Sequence, residues 1–502
     1  MDEDAPFNVS LNGDVDLATV EEFYPLADFS IERLGGTLAV NATANGQLNT
    51  PEEAQFDGEL SLSQGELKFT DVPRPIETIA VDATANQNLI TINTFSFNAA
   101  QSNFTMKGQI REPLDVENRT MDLTTDLFFD LASIKDFYPI DEDTLQLRGE
   151  LTAQAVLKGN AEEIERAVQT GSINLKNGFI DYQRFGQPIE DITLASKLQG
   201  NQISISNASF KAGQNDLSMS GSVTNYISEN PVIDLQIKGN AQFAELQNYY
   251  DLQPAISELT GSGRLDLGVS GPVQEPQNMV FNGTAVVKNV NMSGDSLVQP
   301  VRHLNGELSM SSKSVDLTGL SFNLGSSDLA ISGSLQNYMQ YLSTAENRGT
   351  TPNLTGNFES TRFDVDELID WEDTTSGGPI PIHLPDLNSS VSASIDSLIV
   401  TGVTMNNLKA QAGTTPTQVK LDRASIDMFD GTATGSFTWN VPRPDLTNLN
   451  FQGELNGLNI DAFFREYQIL GEKSNFHEHV SGSFNANVDY YSELKRIPGT
   501  GY

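Results

Sequence analysis

Four histidines are the only imidazoles in this 502-residue chain, and cysteine is absent. His303 and His383 stand alone in sequence. His477, Glu478 and His479 would put two imidazoles on one face of a strand, because alternate residues share a face. A zinc site needs at least three protein ligands, and no third stands near that pair. Without cysteine there is no disulfide and no cysteine-based zinc site, and the redox compartment stays open. Adjacent carboxylates occur at Glu52-Glu53, Asp141-Glu142-Asp143 and Glu162-Glu163. They fall in polar breaks of an acidic chain, where solvated turns account for them. No D-x-[DN]-x-[DN]-G calcium loop is present. Nor is there a Walker phosphate loop, a G-x-S-x-G elbow or a His-Glu-x-x-His pair. Sequons such as Asn41-Ala42-Thr43 are expected by chance in an Asn- and Ser-rich chain. The expectation is a protein with no catalytic residues, no metal site and no cofactor.

Charge narrows the partners. Lys and Arg number 29 against 67 Asp and Glu, a formal charge of −38. Nucleic acid is excluded as a partner, because neutralising phosphates takes clustered Lys and Arg. Peripheral docking on anionic headgroups is disfavoured for the same reason. No run of about 18 apolar residues exists to form a transmembrane helix. The opening MDEDAPFNVS lacks the basic and apolar regions of a signal peptide. For a protein outside the cytoplasm, the targeting segment is expected to lie outside this sequence.

The elements that would position any function are repeated. ITINTFSF (Ile90–Phe97) returns as ISISNASF (Ile203–Phe210), VDLTGLSF (Val315–Phe322) and VKLDRASI (Val419–Ile426). A second strip follows each one: SNFTMKGQI from Ser102, NDLSMSGSV from Asn215, SDLAISGSL from Ser327 and a looser GTATGSF from Gly431. Its glycines, Gly108, Gly221, Gly333 and Gly435, step by 113, 112 and 102 residues. The chain is an array of one unit of about 112 residues.

Each strip alternates apolar and polar residues, the signature of a strand with one apolar and one wet face. The two-residue step inside ITINTFSF shifts that phase and predicts a bulge or tight bend. The unit is expected to hold five strands. The first begins at Gly36, Gly149 and Gly263. The second covers Gly58–Phe69, Gly171–Tyr182 and Gly283–Gly294. The third follows Pro75-Ile76, Pro188-Ile189 and Pro300-Val301. The two strips supply the fourth and fifth. Then comes a connector: Asp16–Leu26, Asp130–Ile140 and Gln242–Leu252, with looser copies at Asp364–Asp373 and Asn459–Leu470. Its polar start, helically spaced apolar residues and closing Pro predict one or two helical turns. Its aromatic pair is expected to anchor it over the end of the sheet.

The expected organisation is the end of a truncated unit at 1–34, then units at 35–142, 143–255 and 256–373. A degenerate fourth unit at 374–470 has the Gly/Pro loop Thr374–Leu387 in place of its first strand. A further truncated unit starts at 471–502. Both ends are read as cuts in a longer polypeptide. The expected fold class is all-β: a long, curled antiparallel sheet with short connector helices.

A sheet with one apolar face needs cover, at about 25 cal/mol per Å² of apolar surface. No long amphipathic helix is visible. The cover is therefore a second sheet or acyl chains held in a trough. The expected trough lining is Leu60, Leu62, Leu67, Phe69, Ile90, Ile92, Phe104 and Met106. The next unit repeats it with Ile173, Leu175, Ile203, Ile205, Leu217 and Met219. The plainer alternative makes these residues the core of an ordinary β-sandwich.

His383–Asn440 resembles the C-terminal region of the AsmA family. The likeness rests on an alternating strand, a turn of the form x-Gly-apolar-x-apolar-x-Asn-Leu at Thr401–Leu408, and the step Phe429-Asp430-Gly431 into Gly435-Ser436-Phe437. The other units resemble that family's repeating body. With the related TamB-like proteins, the resemblance implies a bridge-like lipid-transfer protein of Gram-negative bacteria. It implies a periplasmic groove, anchored in the inner membrane by an N-terminal helix absent from this sequence. It implies phospholipid acyl chains as cargo, a role in outer-membrane biogenesis, and outer-membrane assembly proteins as further partners. The ending SELKRIPGTGY matches nothing in that pattern.

Two rival readings remain. One is a β-solenoid adhesin stalk, against which the long unit counts, since solenoid rungs repeat every 20 to 30 residues or so. The other is a structural scaffold that assists outer-membrane protein assembly through exposed edge strands.

Overall fold

A computed structural model describes residues 6–47, 54–138, 140–141, 143–339, 351–368, 386–443, 446–467 and 480–495. The fold is all-β, about 70% strand and 9% helix. The chain divides into two compact units: residues 1–239 with 270–274, and residues 240–269 with 275–502.

Twelve strands of unit 1 follow in chain order: β1 (Pro6–Asp16), β2 (Ile31–Gln47), β3 (Gln55–Phe69), β4 (Ile76–Asn86), β5 (Leu89–Ala99), β6 (Ser102–Arg111), β7 (Thr120–Asp130), β8 (Leu145–Asn160), β9 (Val168–Tyr182), β10 (Ile189–Gln199), β11 (Gln202–Ala212) and β12 (Asn215–Thr224). Each pairs antiparallel with the next, from β1–β2 through to β11–β12. Two further strands, β13 (Val232–Gln242) and β14 (Glu258–Pro272), span the division between the units.

The repeat holds six strands, not the five expected. The sixth is β7, which ends at Asp130, the first residue of the expected connector Asp130–Ile140. TMDLTTDLFFD does alternate at Met121, Leu123 and Leu127. An even number matters: β1 and β7 then run the same way, so both connectors leave unit 1 at the same end of its sheet.

The expected phase shift is a bulge in every copy. The register slips between Ile92 and Phe95, Ile205 and Ala208, Leu317 and Leu320, and Leu421 and Ala424. A second bulge recurs at Gln64, Asn177 and Asn289, and a third at Thr78, Asp191 and His303, each with φ near +50°. Bulges bend a strand and increase its twist, so they curl the sheet once per repeat.

The recurring glycines pair with the residue just before the first bulge, Ile92 and Ile205. Gly108 and Gly221 have φ of 142° and 138°, and a Cβ there would lie 2.1 Å from Asp122 O and 2.0 Å from Asp234 O. Only glycine lets the neighbouring backbone come so close. The same geometry corrects one expectation. The third copy of Gly36 and Gly149 is Gly261, with φ of 99°, rather than Gly263.

The connectors are short helices, mostly 3-10: Leu17–Glu22, Leu131–Asp136, Phe243–Asn248 and Val365–Glu367. Asp16, Asp130 and Asp364 cap their starts by accepting from the N–H two residues on, a favoured N-cap arrangement. The aromatic pair is only partly laid down: Phe137 and Tyr249 are half-buried, whereas Phe23 is 83% exposed and Tyr24, Tyr138 and Tyr250 are exposed. A polar hold is present as well. Asp130 N–H donates to Ser102 Oγ at 3.1 Å, and Ser133 Oγ, 3.1 Å from Ser102 Oγ, donates to Asp130 O at 2.6 Å. Both serines are buried. In unit 2, Asp364 N–H donates to the buried Ser327 Oγ at 2.9 Å. Pairing satisfies these buried hydroxyls.

Unit 2 continues with β15 (Val280–Ser293), β16 (Val301–Met310), β17 (Ser314–Leu324), β18 (Ser327–Gln336), β19 (Asn353–Asp364), β20 (Asn388–Val400), β21 (Val403–Thr415), β22 (Gln418–Met428), β23 (Gly431–Arg443), β24 (Leu446–Asn459) and β25 (Ser483–Lys495). Neighbours pair antiparallel except β19 and β20, which are parallel. This step falls where the fourth unit was expected to lack its first strand. One parallel pair with five strands keeps β19 and β24 pointing the same way. Most of the loop between β19 and β20 lies outside the described residues. So do most of the connector after β24, which begins as helix Ile460–Tyr467, and the chain's last residues.

Two expectations follow. Gly108→Ala should lower stability by more than about 1 kcal/mol. Gly13→Ala, with nothing within 4 Å of its Cβ, should change it by less than about 0.5 kcal/mol. Urea titration of both variants checks the contrast. Asp328 accepts from Thr361 Oγ1 and from the N–H groups of Thr361 and Arg362. Burial pushes this carboxyl up, but those bonds outweigh it and hold it below its ordinary value. Its stabilisation is therefore complete above about pH 4 and is lost as pH falls through the depressed value. The stability gap between wild type and Asp328→Asn should close on acidification below about pH 4.

Candidate functional site

Register decides which side chains share a face, because directly paired residues point the same way. One transverse row of unit 1 runs Val15, Leu38, Leu62, Val81, Phe95, Met106, Thr125, Ala155, Gly171, Leu198, Ile203 and Val223. It crosses all twelve strands with one polar residue, Thr125. A parallel row runs Gly13, Val40, Leu60, Ala83, Ile92, Gly108, Leu123, Leu157 and Val168.

All fourteen residues expected to line a trough lie on this one face. Leu60, Leu62, Ile92, Met106 and Ile203 stand in the two rows. Phe104 reaches Ile173 through Leu127 and Ala153, and Ile173 reaches Ile205 through Ser196. Ile90 pairs with Ile110, and Leu175 reaches Met219 through Leu194 and Ala208. Leu217 pairs with Phe210. Leu67 pairs with Leu34 and Phe69 with Ile31. The bulges restore the apolar phase each time it would turn over.

Their burial separates the two expected kinds of cover. None of the fourteen is buried: twelve are half-buried, while Leu60 and Ile173 are 38% and 37% exposed. A closed sandwich core would bury its inner-facing side chains and pack them to crystal-like density. Among the described residues of unit 1, the buried apolar ones are Leu26, Ala99, Met121, Leu123, Ala167 and Ala212. Helix α1 (Ile164–Ala167) makes the main local cover. Met121, Leu123 and Ala167 cluster there, with Ile92, Met106, Ile110, Leu157 and Ala161 packed around them. The chain's own β8–β9 turn therefore covers part of the face at Met121 and Leu123, with Ile92 and Met106 packed beside them. That patch was not foreseen, because Ala161–Ala167 reads as an acidic loop. In unit 2 a second cluster of Ile395, Leu408 and Ala410 packs against Phe358, Phe363 and Leu421.

The opposite face is polar. A row there runs Thr105, Asp126, Gln154, Ser172, Lys197, Ser204 and Ser222. Two cavities of about 340 and 420 Å³ indent this side, one beside Asn12, Asp14, Glu59 and Asp82, the other beside Asp126, Gln154, Ser172 and Lys197. Lys158 meets Asp122 at 3.1 Å on this face, an exposed pair of the kind that contributes about 0–1 kcal/mol.

Of the histidines, His303 is exposed at its bulge, its N–H donating to Asn291 Oδ1 at 2.9 Å. His383, His477 and His479 lie outside the described residues. Among the described residues no three His, Asp or Glu side chains gather to hold a metal ion, and no helix is long and apolar enough to cross a membrane.

Leu123 and Leu60 share a row but differ in cover, which yields a test. Leu123→Asp should cost several kcal/mol, since it buries an unpaired carboxylate. Leu60→Asp should cost less than about 1 kcal/mol. Thermal melts followed by circular dichroism separate the two. Comparison with protein-family models, with characterised proteins and with solved structures finds no match.

Proposed function

We propose that the apolar face of unit 1 carries phospholipid acyl chains, and that the protein is a non-enzymatic lipid-transfer component of outer-membrane biogenesis. One observation carries the reading: an apolar row crosses twelve strands nearly unbroken while its side chains stay half-exposed. Such a surface is unfavourable in water at about 25 cal/mol per Å². Among the described residues the helices are short, and in unit 1 α1 covers only one patch of the face. An acyl chain matches a long face without deep pockets, and each CH₂ removed from water contributes about 0.8 kcal/mol. A near-uniform row has no single deep minimum, which suits movement along it better than storage. The likeness to the AsmA family agrees with this reading. It supplies the periplasmic location, the inner-membrane anchor outside this sequence, and contact with outer-membrane assembly proteins as parts of the same proposal. The charge of −38 keeps the wet face off nucleic acid and away from anionic headgroups.

Native mass spectrometry with lipid extraction tests the proposal. The purified chain should carry several phospholipids. Leu62→Asp with Ile205→Asp should leave the fold intact and remove them. A folded, lipid-free chain would overturn the reading in favour of a closed scaffold.

A further inference from the structure

One cavity of unit 1 differs in charge from those on the acidic wet face. It encloses about 350 Å³ between α1, the β10–β11 turn and the segment after β12. Among the described residues its polar lining is Arg166, Gln169, Asn201 and Ser228, with Val168 and Ile227 as apolar walls and no carboxylate. Asp14, Glu59 and Asp82 line one wet-face cavity, and Asp126 beside Lys197 the other. Backbone bonds fix the walls: Gly200 N–H donates to Gln169 O and Asn225 N–H to Asn201 O, both at 2.9 Å. Gln169 Nε2 donates to Lys158 O and Asn201 Nδ2 to Asn225 Oδ1, which leaves each amide a second N–H. Ser228 Oγ donates to Asn225 O. The repeat shows that the turn does not require the charge of Arg166. Residues 159–168, GNAEEIERAV, align with 271–280, GPVQEPQNMV. Glu163 accepts from Arg166 Nη1 at 3.3 Å, and Glu275 accepts from Asn278 Nδ2 at 2.6 Å. A neutral amide makes the same local bond in the later copy.

We propose that this cavity seats the headgroup of a zwitterionic phospholipid, its phosphate on Arg166 and its ammonium on Glu163. The inference rests on acyl chains occupying the apolar face. Arg166 and Glu163 are 67% and 50% exposed, and an ion pair so exposed is weak. A phosphate–ammonium headgroup exchanges that one pair for two. The guanidinium gives the phosphate charge-assisted hydrogen bonds, and the second N–H groups of Gln169 and Asn201 add neutral ones. A headgroup with phosphate alone leaves Glu163 facing like charge, so the site favours the ammonium-bearing class. Size agrees. Ligand pockets run from about 300 to 1,000 Å³, and 350 Å³ has room for a headgroup but not for a whole lipid. The tails have a path. Val168 stands in one apolar row, and Ile203 and Val223 stand in the other, two residues from Asn201 and Asn225. The headgroup class is selected at α1, while the rows accommodate the tails.

Calorimetric titration of the full chain with dihexanoyl phosphatidylethanolamine, kept below its micelle concentration, tests the seat. One site should bind about tenfold more tightly than the rest. Arg166→Gln, an exposed substitution that leaves the melting temperature unchanged, should bring that site down to the level of the others. The phosphatidylglycerol analogue should bind the tight site about fivefold more weakly, and Glu163→Gln should erase that preference. Glycerophosphoethanolamine, the headgroup without tails, should compete for the tight site, and inorganic phosphate should not. No tight site, a tight site indifferent to Arg166→Gln, or equal displacement by inorganic phosphate would each overturn the proposal. Uniform weak binding that Leu62→Asp with Ile205→Asp removes would sink the headgroup seat alone. No binding at any site would sink the acyl-chain reading and the seat with it.

Discussion

The structure depends on the register at its bulges. A strand's side chains alternate with period two, so a one-residue slip turns every later apolar side chain to the wet face. Each repeat slips at the same places, between Ile92 and Phe95 and again between Ile205 and Ala208. The slip is compensated across the pair, so Met106 and Phe104 return to the side of Ile92. Gly108 and Gly221 stand opposite Ile92 and Ile205 at the edge of the slip, and no side chain fits there because Asp122 O and Asp234 O approach from the next strand. The apolar face exists because these backbone positions hold the phase from strand to strand.

Much of this was legible in the residues. The period of about 112, the alternation and the two-residue step in ITINTFSF pointed to strands, to one apolar face and to the bulge. The shared face of all fourteen expected lining residues followed from that alternation. Three features were less accessible. β7 hid behind a connector whose aromatic residues attracted more notice than Met121 and Leu123. Gly263 looked equivalent to Gly149 by its neighbours, but backbone conformation assigns that place to Gly261. The polar hold on the connectors was hidden because a buried serine hydroxyl needs no sequence pattern beyond one small polar residue. Ser102 and Ser327 accept from the backbone at the helix starts, while of the aromatic pairs Phe137 and Tyr249 are half-buried and Phe23 and Tyr138 exposed.

Cover over the apolar face is uneven, and this shapes what the face can do. Where α1 folds back, Met121 and Leu123 form a small core that stabilises the middle of unit 1. Away from it, Leu60 and Ile173 remain open. The fold and the proposed lipid surface thus draw on the same apolar rows, with different residues serving each. That division explains how a sheet with so few buried side chains keeps its order: ladder hydrogen bonds and bulge geometry set the fold, and burial is concentrated at a few patches.

The most direct measurement uses a nitroxide label at Ile173→Cys, with a second chain labelled at Lys197→Cys on the polar face. Both are mixed with phospholipid carrying a paramagnetic group midway along its acyl chain. An open, lipid-bearing apolar face predicts strong spin–spin broadening at Ile173→Cys and none at Lys197→Cys. Equal broadening at both sites, or none at Ile173→Cys in a folded chain, would contradict it.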